Sequence, residues 1–103
     1  MKYFLLTYEY VDGMLEKRGP HRPAHLDYLK TFLDEKKLVV SGPLVNPVDG
    51  AMLAFQAEDA AAVETIAKND PFMSANLIKA WRVREWEVAM GKENLKNFSG
   101  AAQ

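Results

Sequence analysis

The chain is predicted to be an α+β protein with the ferredoxin-like order β-α-β-β-α-β and an antiparallel sheet. Three observations lead there. Short apolar runs and helix-period stretches follow one another in that order. Pairs such as Asp12-Gly13, Gly42-Pro43 and Asp70-Pro71 punctuate their boundaries. The strand-like runs also carry large apolar residues on both faces, among them Tyr3, Phe4, Tyr8, Phe55, Trp81 and Trp86. Two helices on one side of a sheet cover only one of those faces. A second copy of the chain is the simplest cover for the other, so a homodimer is expected.

Each element has its own signal. "KYFLLTYEYV" reads as a strand covered on both faces, because Tyr3, Leu5 and Thr7 alternate with Phe4, Leu6 and Tyr8. "DGMLEKRGPHR" reads as a loop. Pro23 then opens a helix, where its missing N–H costs nothing. At 3.6-residue periodicity His25, Leu29, Phe32 and Leu33 form one stripe, with Leu26 at its edge, and the helix is expected to reach about Lys37. "LVVSGPL" reads as a short buried strand stopped by Gly42-Pro43, "NPVDG" as a turn and "AMLAFQA" as the next strand.

Asp59 is placed to cap a second helix, "AAAVETIAKN", with Val63, Ile66 and Ala67 facing inward. Asp70-Pro71 ends it, since a residue before proline avoids the helical region. "FMSANL" reads as a further helical turn. "IKAWRVREWEVAM" reads as the longest strand. Its apolar phase shifts between Trp81/Val83 and Trp86/Val88, which calls for a bulge or for burial on different faces along its length. Residues 1–91 form the expected single domain. Residues 92–103 form a polar tail in which Leu95 and Phe98 can grip a surface.

Composition narrows the function classes. The 103-residue chain has a net charge of -1 and no basic run, which argues against a nucleic-acid partner. Cysteine is absent, so disulfides, thiolate metal sites and a cysteine nucleophile are excluded. No stretch approaches the ~20 apolar residues of a membrane span, and the N-terminal apolar run is too short and too aromatic for a signal peptide. A cytoplasmic protein with no membrane partner is the expectation. No dinucleotide glycine fingerprint or phosphate loop appears, so no cofactor is expected.

Four residues stand out. His25 is the one polar residue squarely on its helical stripe. It either does acid–base chemistry, for which imidazole is suited near neutral pH, or fills a gap with one hydrogen bond. Asp70 precedes a proline, and its carboxylate can hold nearby backbone N–H groups. Arg22 is either a surface charge or the anchor of an anionic substrate group. Ser41 can hydrogen-bond a ligand, since "SGP" comes near the helix start in this topology. His21, in the loop before Pro23, reads as solvated, and no metal site is expected. Arg82, Arg84, Glu85 and Glu87 read as charged pairs on the last strand.

Taken together, Arg22-Pro23, His25-Leu26, Leu29, Ser41-Gly42-Pro43-Leu44, Asp49-Gly50, Asp70-Pro71-Phe72 and Trp86 resemble the YciI-like family of YCII-related domains. The resemblance spans nearly all of residues 1–91. It implies a dimeric α+β barrel, in which two sheets face each other, and a histidine–aspartate pair in a cleft, here His25 and Asp70. Some relatives act in aromatic breakdown, including a dehydrochlorinase of a chlorinated hydroxyquinol. The chain departs from the family at Lys37 and Ala54, where glycines are common. The expected function is cofactor-independent proton transfer or elimination on a small-molecule ligand, with His25 as acid/base, Asp70 orienting it, and Arg22 and Ser41 holding the substrate. The alternative is a non-catalytic dimer that binds a metabolite or serves as an accessory protein. If His25 reaches a cleft, its loss is expected to cost under ~1 kcal/mol of stability.

Overall fold

The computed structural model describes residues 1–95; the expected grip of Phe98 lies outside them. The elements are β1 (Lys2–Tyr10), α1 (Met14–Lys17), α2 (Arg22–Asp34), β2 (Leu38–Leu44), β3 (Gly50–Ala57), α3 (Ala60–Lys68), α4 (Pro71–Ser74) and β4 (Ile78–Glu85). The strands pair antiparallel in the order β2-β3-β1-β4, as a ferredoxin-like sheet requires. Among the described residues no helix is long and apolar enough to cross a membrane.

The main core lies between the helices and one face of the sheet. Phe4, Leu6, Tyr8 and Tyr10 of β1 and Leu53 and Phe55 of β3 meet Met14, Leu29, Val63, Ala67 and Phe72 of the helices. Period two in β1 and β3 puts these residues on one side, and the helical stripes close over them. The stripe of α2 differs from the expected one. Tyr28 packs against the core alongside Leu29 and Phe32. Leu33 and Leu26 remain exposed at 43% and 45%. Tyr28 turns inward because its hydroxyl donates to the Ile66 carbonyl at 2.7 Å, which ties α2 to α3.

Several boundaries also move. The loop after β1 contains α1, a single turn pinned by Met14, which is buried in the core. Four residues carry too little local signal to announce a helix; tertiary burial makes it. Helix α2 starts at Arg22 and stops at Asp34 rather than near Lys37. Lys36 takes the left-handed conformation (φ 62°), and the Lys37 N–H reaches back to the Phe32 carbonyl. That is the closure usually given to glycine, displaced by one position from Lys37. Strand β2 runs through Gly42-Pro43 to Leu44, and only Leu38 and Val39 are buried. It is an edge strand, where a proline withholds no needed ladder bond. Asp59 caps α3 as expected, accepting from the Ala62 N–H at 3.0 Å.

The expected long last strand is two segments. Strand β4 ends at Glu85, with Trp81 and Val83 toward the helices. The following chain crosses the opposite face, where Val88 joins Tyr3, Val39 and Ala54 in a second small cluster and Leu95 packs against it. The shift of apolar phase marks this change of face. The bulge in the β1–β4 pairing sits elsewhere, between Glu9 and Tyr10. The charged pairs expected on the last strand reduce, among the described residues, to one long contact between Glu85 and Lys2 at 3.9 Å. Arg82 and Arg84 alternate onto the face away from the helices and, among the described residues, form no ion pair there.

One close approach positions the site described below. A Cβ at Gly50 would stand 2.5 Å from the Tyr8 carbonyl oxygen. Gly50→Ala is therefore expected to push β3 off β1 and cost ~1–3 kcal/mol. Thermal or urea unfolding reads this, and an unchanged midpoint would contradict the packing described.

Candidate active site

The site begins with a buried acid. Asp70 lies between α3 and α4 with 1% of its surface exposed. Its extended backbone, imposed by Pro71, lets it act as the cap of α4. Oδ1 accepts the Phe72 N–H at 2.9 Å. Oδ2 accepts the Tyr8 hydroxyl at 2.8 Å. His25 Nδ1 lies 2.8 Å from Oδ1 and 3.0 Å from Oδ2. The turn aspartate and the partner of His25 are thus the same carboxylate.

A carboxylate only accepts hydrogen bonds. The network therefore puts a proton on Nδ1, and in the neutral imidazole it is Nε2 that carries the lone pair. The ring is held from the side as well. It stacks on Phe72 with centroids 3.8 Å apart and planes 5° from parallel. Among the described residues no buried side-chain nitrogen or oxygen lacks a partner. Nε2 has no hydrogen-bond partner among the described residues, so it is not fully buried, and His25 lines a cleft of about 120 Å³.

The cleft lies between α2, α4 and the sheet. Arg22 and Ser41 line it, together with Arg18, Tyr10, Leu29 and Phe72. The structure therefore brings three of the four expected residues, His25, Arg22 and Ser41, to one cavity, with the fourth, Asp70, directly behind the histidine. His21 is exposed at the start of α2, with no capping bond from its side chain. Among the described residues, no three histidine or acidic side chains come together as metal ligands.

Sequence reasoning missed Tyr8, Arg18, Tyr10 and Phe72. Tyr8 reads as apolar cover for a strand, because its hydroxyl partner is 62 positions away. Arg18 sits in what reads as a loop. The choice between a core histidine and a cleft histidine also dissolves. His25 is 8% exposed, buried on its Nδ1 side and open on its Nε2 side. Removing it would leave a buried carboxylate one donor short, held by Tyr8 and the Phe72 N–H alone, so His25→Ala is expected to cost ~1–3 kcal/mol rather than under ~1 kcal/mol.

The phenols around the acid respond to it. Burial, then the Asp70 charge and hydrogen bond, push Tyr8 far above the ordinary value of 10.0. Burial and then Asp70 also raise Tyr28. Burial raises Tyr10 as well, offset by the Arg18 and Arg22 charges.

Residues 1–87 match the family model described as YCII-related domain. Among solved structures the chain is similar to 5-chloro-2-hydroxyhydroquinone dehydrochlorinase from Burkholderia phenoliruptrix AC1100, in complex with 2,5-dihydroxybenzoquinone. The identity is 30%, covering 82% of this chain and 93% of that chain, with a TM-score of 0.74. It is also similar in fold to a NIPSNAP domain protein from Burkholderia xenovorans (12% identity, 87% and 96% covered, TM-score 0.55). A NIPSNAP family protein from Agrobacterium tumefaciens C58 is similar at 14% identity, with 82% and 90% covered and a TM-score of 0.53. At those lower identities the likeness is one of fold alone. No curated protein matches significantly.

Two predictions follow from the carboxylate. Asp70→Asn presents a mixed donor and acceptor to the ring, so the neutral imidazole loses its preference for the Nδ1–H form. Nitrogen-15 NMR should show one tautomer in the wild type and a mixture in the variant; a mixture already present in the wild type would mean that the pair is not coupled. The second concerns alkaline pH. Tyr8, Tyr10 and Tyr28 hold their protons more tightly folded than unfolded. Their contribution is complete below about pH 10 and is lost as pH rises above it. Tyr8→Phe should lower the melting temperature at neutral pH, through loss of the bond to Asp70. It should also make the decline above about pH 10 shallower than in the wild type. A decline of unchanged steepness would contradict this.

Proposed function

The chain belongs to the YCII-related domain family, and we propose that its cleft is the active site of a cofactor-independent acid–base enzyme acting on a small hydroxylated, halogenated aromatic. The observation that carries this reading is the orientation of His25, with Nδ1 held by a buried carboxylate and Nε2 facing a cavity that also holds two arginines. The similarity to a dehydrochlorinase supports elimination as the reaction.

On a chlorinated trihydroxybenzene the steps are as follows. Nε2 takes the proton of one ring hydroxyl and returns it to the carbon that bears chlorine, giving a keto tautomer. Nε2 then takes a second hydroxyl proton. That O–H electron pair becomes a carbonyl bond, and the C–Cl bond breaks with its pair leaving on chloride. The products are a hydroxyquinone, chloride and one proton. The ring is oxidised at the expense of the C–Cl bond, so no external oxidant enters. Asp70 keeps the imidazole in the form that can accept and stabilises the imidazolium while it exists. Arg22 holds the oxyanion formed at each proton removal, and Ser41 hydrogen-bonds a ring oxygen.

His25→Asn tests this better than alanine. An asparagine amide can still donate to Asp70 from near the Nδ1 position, but no atom replaces Nε2. With 5-chloro-2-hydroxyhydroquinone as substrate, chloride release is expected to fall by ~10²-fold or more while the fold is kept. Release at the wild-type rate by a folded His25→Asn protein would sink the acid–base role. Tight binding without release by the wild type would favour a non-catalytic binding protein instead.

A second copy of the chain is proposed to complete the assembly. The sheet face away from the helices carries Leu5, Val40, Met52 and Trp86 around one open apolar depression, with Trp86 43% exposed. Residues 86–95 cover only the Tyr3 end of that face. A bare apolar face is what an isologous dimer buries. Light scattering at micromolar concentration should give twice the 11.6 kDa chain mass; the mass of a single chain would contradict the assembly.

A further inference from the structure

We propose that Arg18 acts with Arg22 as a charge clamp that holds a ring ligand more tightly as its oxygens ionise, and a planar dianion most tightly. The proposal rests on the reading of this cleft as the substrate site. It deepens that reading by adding a second anchoring cation for the ring oxygens that become anionic as the hydroxyls lose their protons.

The backbone sets the clamp. The Arg18 carbonyl accepts the N–H groups of His21 at 2.9 Å and of Arg22 at 2.8 Å, so the chain turns helically from 18 to 22. Side chains one turn apart in this way stand on the same side. Both arginines line the cleft that His25 opens into. Arg18 is half-buried. Among the described residues neither has an ion-pair partner, and no carboxylate lines the cleft. Asp70, behind His25, is already engaged by Tyr8, His25 and the Phe72 N–H, and Asp27, which borders an outer depression beside the two arginines, pairs with neither of them.

Two guanidinium groups one turn apart without a carboxylate repel each other. A singly charged ligand satisfies one of them and leaves the other exposed to the same repulsion. A ligand with two anionic oxygens satisfies both. The planar fork of each guanidinium suits an oxygen on the edge of a ring. Tyr10, which lies in the same wall, feels both positive charges.

The test is calorimetric titration of the wild type, Arg18→Gln and Arg18→Lys with two probes. One is 2,5-dihydroxybenzoquinone, whose two hydroxyls are ionised at neutral pH. The other is 1,4-hydroquinone, which is neutral there. The wild type should bind the dianion at least about tenfold more tightly than hydroquinone. Arg18→Gln should lose most of that preference while its hydroquinone affinity stays within about twofold, and Arg18→Lys should regain part of it. Added salt should weaken the dianion alone. Unchanged dianion affinity in Arg18→Gln, equal weakening of both probes, or no preference in the wild type would each overturn the clamp. Should dianion binding follow Arg18 while no chlorinated substrate releases chloride, the elimination reading falls and the clamp stands. Should chloride be released while Arg18→Gln binds the dianion as the wild type does, the clamp falls and the elimination stands.

Discussion

Everything at the site depends on one buried carboxylate. Asp70 has almost no contact with water, and an ionised carboxylate in that position is tolerable only if its lone pairs are matched by donors. The donors come from three places in the chain: a strand (Tyr8), a helix (His25) and the backbone of a short turn (Phe72). Satisfying the acid therefore draws β1, α2 and α4 to a common point. The energetic need of the fold and the geometric need of the proposed chemistry are met by the same contacts.

That arrangement gives the cleft its polarity. The negative charge is held behind the imidazole, and the positive charges of Arg18 and Arg22 lie in front of it, along the cavity wall. The histidine stands between the acid it is bonded to and a cavity lined by two guanidinium groups. Phe72 contributes twice, by its N–H to Asp70 and by stacking on the ring, so the imidazole is restrained along its edge and its face. A side chain fixed in this way needs no rearrangement to present Nε2 to a ligand. The close approach of Gly50 to the Tyr8 carbonyl lets β3 and β1 hold the tyrosine at the right height.

The fold was legible where its signals are local. The order of elements, the Asp59 cap, the inward face of α3 and the turn at Asp70-Pro71 all rest on residues within a few positions of one another. What stayed hidden depends on distant contacts. Whether "LVVSGPL" is a central or an edge strand is decided by the pairing order of the sheet, which no short window contains. Helix α1 exists because Met14 finds the core. The meeting of His25 and Asp70 spans 45 positions, and only the family resemblance pointed to it. Tyr8 and Arg18 escaped notice because one resembles ordinary core and the other ordinary loop until α2, α4 and β1 are assembled.

The central claim is that the buried acid aims the open nitrogen of His25 at a substrate in the cleft. A crystal structure of the protein soaked with 2,5-dihydroxybenzoquinone tests it most directly. The account predicts a ring oxygen within hydrogen-bond distance of Nε2, other ring oxygens on Arg18 and Arg22, and Nδ1 still on Asp70. A ligand bound elsewhere on the chain, or an imidazole turned away from Asp70 to meet it, would contradict the account.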